Sequence, residues 1–225
     1  MSLGVRAAHR LGRTFRNLAD AFLSWRSLSG VWIDVGAHLG EHTFYFAERN
    51  RSLTVYAFEP NLRLAAQRLG LLPNFMVIPM AVAEEDGCAD FHINAFDASS
   101  SLLPLDPESL EHWIGRELLK VEDKIKVPTI RLDTFMNRMG ISCVEYLKID
   151  AQGADFAVVK SAGARLQDIS KITLEVAIAP IPVYVGACKK SKVVDFLTAN
   201  GFVLVSSEQQ SHGQEENLTF VRKAL

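Results

Sequence analysis

The 225-residue chain sets 24 lysines and arginines against 26 aspartates and glutamates, a formal net charge of −2, which excludes a general attraction to nucleic acid. With 48% hydrophobic and 22% charged residues it has the composition of an ordinary soluble protein, long enough for one well-buried domain. Cys88, Cys143 and Cys188 are odd in number and widely spaced, which excludes a CxxC zinc or redox pair and fits a reducing, cytoplasmic setting, and the apolar runs break before the ~20 residues of a membrane-spanning helix.

Residues 1–29 read as an N-terminal helical extension. Arg6, Arg10, Arg13, Arg16 and Arg26 stand against the single acid Asp20. Val5, Ala8, Leu11, Phe15, Leu18, Phe22 and Trp25 recur at helical spacing along one side. The spacing predicts a helix that packs on the domain and helps close its ligand cleft. A membrane-surface helix over residues 1–26 and an organellar transit peptide are the alternatives.

From Val31 onward, strand-like and helix-like patterns alternate, as in parallel βαβ units. Strands are predicted at 31–35, 53–58 and 75–80, with helices over Glu41 to Asn50 and from Pro60 to about Leu69. Residues 84–131 break the alternation and read as a β-rich insertion. It holds short strands at 88–93 and 124–130 and a polar, loop-like stretch of Ser99–Ser101 followed by LLPLDPE. Functional loops sit on such segments, so Ser99 and Ser100 are candidate substrate contacts. A fourth strand at 145–150, a helix from about Asp155, a fifth strand at 171–176 and a helix over Lys190 to Asn200 follow. FVLVSS and NLTFVRK then predict an antiparallel hairpin. The pattern is α/β: a doubly wound, Rossmann-like, seven-stranded and mostly parallel sheet with an antiparallel final strand, built from residues 30–225.

The chemistry starts at Asp34-Val35-Gly36-Ala37-His38-Leu39-Gly40, where the first strand ends. Glycines here let backbone approach a ligand, and a following helix offers its amides. A dinucleotide fingerprint needs a second glycine where this chain has His38, so a ligand without pyrophosphate fits better. Glu59, about 20 residues on at the end of the second strand, is placed to accept hydrogen bonds from ribose hydroxyls.

With these motifs the sequence resembles the FkbM methyltransferases over about Val31 to Glu175. The resemblance rests on IDVGAHLGEHTFYFA, AFEP (57–60), AVAEEDG (81–87), VPTIRLDTF (127–135) and YLKIDAQGADF (146–156). It implies a class I methyltransferase in which Asp34, Gly36, Ala37, His38, Gly40, Glu59, Pro60 and Ala81 bind S-adenosyl-L-methionine. It also implies that the LKID motif lies beside the transferred methyl. His38 stands where the family usually has Asn, and Asp155 where it usually has Glu.

Lys148 and Asp150 lie two residues apart on one face of an otherwise apolar strand, where charge is costly unless paired or at the ligand end. Asp150 is therefore the candidate base and a cofactor contact, with Lys148 holding it ionised. Gln152 and Glu175, at the ends of the fourth and fifth strands, are candidate substrate contacts, and no compact metal-ligand cluster is present. The resemblance implies O-methylation of a hydroxyl on a sugar, glycolipid or polyketide-like metabolite, a small-molecule or glycan acceptor rather than nucleic acid. The rivals are a nicotinamide-dinucleotide oxidoreductase and a non-catalytic module that binds S-adenosylmethionine.

Overall fold

The computed structural model describes residues 28–178 and 182–223. The expected N-terminal helix falls on residues 1–27, outside the described residues.

Chain order gives β1 (Gly30–Val35), α1 (Phe44–Arg49), β2 (Leu53–Phe58), α2 (Leu62–Ala65), β3 (Phe75–Ile78), β4 (Ala81–Val82) and β5 (Gly87–Asn94). There follow α3 (Pro107–His112), β6 (Val121–Ile130), α4 (Leu132–Arg138), β7 (Tyr146–Ile149), α5 (Asp155–Ser161), β8 (Lys171–Ala177), α6 (Lys190–Ala199), β9 (Phe202–Gln210) and β10 (Glu215–Arg222). Seven strands form one sheet in the order β3-β2-β1-β7-β8-β10-β9, parallel except for the last strand of the chain, β10, which inserts antiparallel between β8 and β9. The insertion forms a separate three-stranded sheet, β4-β6-β5.

Strand periodicity explains why the sheet is covered on both faces. Successive side chains point to opposite sides, so Ile33, Val35, Tyr56 and Phe58 pack with α4, α5 and α6 through Leu132, Met136, Val158, Val159, Val193 and Leu197. Trp32, Leu53, Val55 and Ala57 face the other way, against Ala47 of α1 and Phe75. Burial on both faces is what turns VWIDV and LTVYAF into near-continuous apolar runs.

β1 runs to β2 on one side and pairs with β7 on the other. The connections reverse there, and ligands of open α/β sheets bind beyond the carboxyl ends of the strands at such a switch point.

Several expected boundaries differ. The helix predicted from Glu41 begins at Phe44, because Glu41 turns its carboxylate back to His38 and to the Leu39 amide. The predicted 60–69 helix shrinks to Leu62–Ala65, capped by the Asn61 side chain on the Arg63 amide. β3 stops at Ile78. The stretch LLPLDPE, expected as loop, carries the start of α3: Pro107 sits in the first turn and Asp106 accepts from the Ser109 amide at 2.8 Å. The helix α4 was not anticipated, although Leu132, Phe135 and Met136 fall at helical spacing and are buried.

Candidate active site

The glycine turn is shaped by a close approach of two backbones. Gly36 adopts φ 70°, and a Cβ there would lie 1.9 Å from the Asp150 carbonyl oxygen. No other residue fits where the end of β1 crosses the end of β7. The amides of Gly36 and Ala37 are both spent on the Phe58 carbonyl, at 3.0 and 2.9 Å, which ties the turn to β2.

Cross-strand register places Asp34 beside Lys148. The Lys148 ammonium lies 3.2 Å from Asp34 Oδ1, 3.6 Å from Asp150 Oδ2 and 3.2 Å from the Gly36 carbonyl, to which it donates. Burial opposes its charge, but Asp34 and Asp150 outweigh burial and hold it protonated above the usual lysine range. Asp34 is wholly buried and also accepts from the Thr43 hydroxyl at 2.6 Å. Asp34 and Lys148 thus anchor the turn from behind, while Asp150, with 35% of its side chain exposed, reaches the cleft. Two carboxylates around one ammonium leave one net negative charge, which suits a cationic ligand.

Glu59 is 5% exposed at the end of β2. Its oxygens accept from the His38 and Asn61 amides, each at 2.8 Å. A carboxylate has about four acceptor sites, so each oxygen keeps a lone pair for a hydroxyl. Burial raises its pKa, against the pull of the two amides.

A cleft of about 510 Å³ opens in front of these groups. Gly36, His38, Glu59, Pro60, Ala81 and Asp150 line it, and Met80, Val82, Phe91 and Leu102 give it an apolar wall. Flat apolar walls beside a buried carboxylate fit a base linked to a diol-bearing sugar. Ala37 and Gly40 lie behind the lining: Ala37 is buried and Gly40 backs onto the Phe75 ring.

His38 does not act as a free base. Its ring nitrogens sit 2.8 Å from Glu41 and 3.0 Å from Asp97. Burial lowers its pKa, but the two acids overcome that and raise it to about 9, so the ring is an imidazolium at neutral pH. His42 stands two residues after the glycine turn. Its imidazole lies in the field of Lys148, Asp34 and Asp150, and burial, then Lys148, lowers its pKa.

A second cavity of about 380 Å³ lies under the ends of β7 and β8, lined by Asp155, Phe156, Glu175, Tyr184, Val193 and Glu215 among others. Gln152 stands between the two spaces. Its amide donates to Asp150 at 2.6 Å and lies 3.4 Å from Glu175, while its oxygen accepts from the Tyr184 hydroxyl at 3.0 Å. Asp155 is buried and accepts from the Ala151, Gly153 and Glu175 amides at 3.2–3.4 Å. It therefore shapes the loop that carries Gln152 and does not line the first cleft. Gly153, at φ 86°, is required because a Cβ would meet Tyr184 Cβ at 2.7 Å.

Of the candidate serines, Ser100 lines the cleft. Ser99 is buried with its hydroxyl donating to the Phe96 carbonyl at 2.7 Å. Asp97, Tyr184 and Glu215 escaped sequence reasoning: they lie in loops or at a strand start, and no local pattern marks them. Among the described residues, no group of three or more His, Cys, Asp or Glu is placed to hold a metal ion, and no helix is long and apolar enough to cross a membrane.

Comparison with known proteins agrees with this geometry. The chain resembles M. capricolum TrmK in complex with S-adenosyl-homocysteine, with a TM-score of 0.52 at 10% identity over 99% of this chain and 69% of that one. It resembles Aeropyrum pernix fibrillarin in complex with S-adenosyl-L-methionine, with a TM-score of 0.51 at 12% identity over 93% of this chain and 76% of that one. These likenesses show the class I methyltransferase fold. A 135-residue stretch is 24% identical to the 2-O-methyltransferase NoeI of Sinorhizobium fredii (strain NBRC 101917 / NGR234), covering 57% of this chain and 56% of that protein. The chain thus matches little more than half the length of that relative. The family model described as the methyltransferase FkbM domain matches residues 34–204, most of the chain, and the protein belongs to that family.

Proposed function

We propose that this methyltransferase uses S-adenosyl-L-methionine to methylate a hydroxyl of a sugar, glycolipid or polyketide-like acceptor, with residues 30–225 as the catalytic domain and 1–29 as an extension of it. The cofactor supplies an activated methyl group when bound. Glu59 accepts the ribose hydroxyls, Met80, Val82, Phe91 and Leu102 enclose the adenine, and the net negative charge of the Asp34–Lys148–Asp150 set favours a sulfonium. O-methylation draws support from the family and from the 2-O-methyltransferase name of the relative.

The observation that carries this reading is the position of Asp150. It closes the cofactor cleft, and Gln152 connects it to Glu175 in the second cavity. An acceptor lodged between the two spaces meets one exposed carboxylate. An alcohol is a poor nucleophile at neutral pH, and Asp150 would accept its proton as the methyl passed from the sulfonium to the alcohol oxygen, the carbon–sulfur bond breaking to leave S-adenosylhomocysteine. Lys148 and Gln152 fix the carboxylate in place, while Gln152, Glu175 and Ser100 orient the acceptor.

One observation favours a second role for Asp150. Both its oxygens already face donors, Gln152 at 2.6 Å and Lys148 at 3.6 Å, and donors to the charged form weaken a base. On that reading Asp150 positions ligands without taking the proton. Methyl transfer from S-adenosylmethionine to a panel of sugar, glycolipid and polyketide hydroxyl acceptors, with their amino analogues beside them, tests the activity, and turnover confined to the amines overturns the O-methyl reading. Asp150→Asn separates the two roles. Loss of single-turnover rate with unchanged cofactor affinity marks a base, and weakened affinity with unchanged rate at saturation marks a positioning group.

A further inference from the structure

Residues 97–101 form a strap along the cleft that Gly36 and Glu59 also line. Asp97, Ala98 and Ser100 of this strap line the cleft, and its first residues, Asp97–Ser99, form a single 3-10 turn.

Just before the strap, Phe96 donates its amide to the Leu118 carbonyl at 3.0 Å, and the side chains pin the two ends of the strap by different chemistry. At the far end Ser101 is 1% exposed, pairs with His92 through two backbone hydrogen bonds and donates its hydroxyl to the Gln152 carbonyl at 2.7 Å. The Ser99 carbonyl accepts from the buried Tyr184 hydroxyl at 2.7 Å and from the Asn94 amide at 2.8 Å. These are neutral, buried bonds, and breaking one strands a polar group away from water. At the near end the side-chain pin is Asp97 with His38 at 3.0 Å, and their side chains are 46% and 22% exposed. Water readily compensates a broken pair there, and salt screens it.

We propose that His38 is a cofactor-retention residue, which through Asp97 clasps the strap over the cleft, so that cofactor enters and leaves by opening at the Asp97 end while the Ser99–Ser101 end stays closed. His38 is suited to this by its place in the glycine turn. Its amide holds Glu59 at 2.8 Å, its Nδ1 is held by Glu41 at 2.8 Å, and its Nε2 is left to reach across to the strap. An asparagine at this position has no positive charge to offer Asp97. His38 acts through Asp97 and touches no reacting atom, so it is a positioning residue.

The inference rests on the cofactor assignment, and the experiment separates the two. Full-length protein is loaded with labelled S-adenosylhomocysteine and chased with excess unlabelled ligand. Asp97→Asn is expected to raise the dissociation rate about three- to fivefold, the size of a partly exposed ion pair, and His38→Asn to do the same. The double variant should release ligand no faster than either single one, because both remove the same contact. Wild-type release should quicken with added salt, and both variants should lose most of that response.

It should also quicken as pH rises through about 9, in wild type but not in Asp97→Asn. The groups facing His38 are Glu41 from its own turn, Asp97 from the strap and Glu59 from the end of β2, all carboxylates. Lys148 on β7 is held charged above its ordinary range, while the α-ammonium of the ligand itself also titrates at alkaline pH, so the imidazolium is read as the part of the response that Asp97→Asn removes. Normal binding with an unchanged release rate in Asp97→Asn, or a pH response identical in that variant and wild type, overturns the clasp alone. Failure of the wild-type protein to bind S-adenosylhomocysteine overturns the cofactor assignment and the clasp together.

Discussion

The two halves of the strand-end surface place acidic groups under opposite conditions. On the cofactor side, each buried acid has a partner: Asp34 has Lys148 and Thr43, and Glu59 has two backbone amides. On the side of β8 and β10, Asp155, Glu175 and Glu215 line one cavity, and neighbouring acids add to burial in pushing their protons on. The first half meets each buried carboxylate with a donor or a cation, which at Glu59 works against the upward push of burial. The second holds several carboxylates that share too little compensating charge, so its protonation follows pH and whatever occupies it. Asp150 sits on the seam and enters both sets.

The sharpest way to break this comparison is at the seam. Asp150→Asn should cut the single-turnover methylation rate by about 10²–10⁴-fold, the usual value of a positioned base. S-adenosylhomocysteine, which lacks the sulfonium charge, should bind as before. Equal rates in variant and wild type would leave the seam without a catalytic role.

Next in size is the anchor of the cofactor side. Lys148→Ala leaves Asp34 buried without its cation, and breaking a buried pair in this way costs about 3–5 kcal/mol. Urea unfolding should show the loss as a lower midpoint with an unchanged slope. A midpoint within experimental scatter of wild type would mean that Asp34 has found another partner or a proton.

The same contrast accounts for what was legible in the sequence. The glycine-turn side is local: a strand, a glycine turn and an acid about 20 residues on, so Gly36, His38, Glu59, Pro60 and Asp150 are legible as residues at neighbouring strand ends, and all line one cleft. Parallel strands buried on both faces likewise announce themselves as apolar runs. The other side is assembled from distant segments. Tyr184 reaches Ser99 across 85 residues and Gln152 across 32, and Glu215 meets Glu175 only because β10 inserts beside β8. No periodicity encodes such meetings. Ser99 shows the limit from the other direction: a polar residue in a serine run reads as surface, yet its backbone and hydroxyl are consumed inside the insertion. Short helices failed for a further reason, since α2 keeps only four residues and capping decides such ends more than composition does.

Glu59→Ala tests the first half with a smaller effect. Each charge-assisted hydrogen bond lost to the ribose should cost about 1.5–3 kcal/mol, and calorimetric titration with S-adenosylhomocysteine reads it directly. The His38 and Asn61 amides lose their acceptor too, and Asn61 is buried, so some loss of stability accompanies the loss of affinity and thermal unfolding measured alongside keeps the two apart. Unchanged affinity would remove the ribose role.

The smallest effect is the most specific to the acidic half. Burial, and then Asp150, raise the Glu215 carboxyl to about 6, against the hydrogen bond from Ser211, and burial with Asp150 raises Asp155 to about 7. In the unfolded chain these groups titrate near 4. The folded protein therefore binds their protons more tightly, and that stabilisation is complete below about pH 4 and is lost as pH climbs through 6 for Glu215 and 7 for Asp155. Stability should fall across this window, with the Glu215 share about 1–2 kcal/mol, or a few degrees in melting temperature for a domain of this size. Glu215→Gln keeps the neutral shape and can still accept from Ser211. It should lessen the decline between pH 4 and 6, where Asp155 still contributes, and leave the remainder up to pH 7 in place. The imidazolium of His38 contributes above this range, its stabilisation declining from about pH 6.5 and gone once pH passes about 9, so it does not mask the change between pH 4 and 6. A variant whose melting temperature falls with pH as steeply as wild type would show that Glu215 is already ionised, and that the acidic half is better compensated than its geometry indicates.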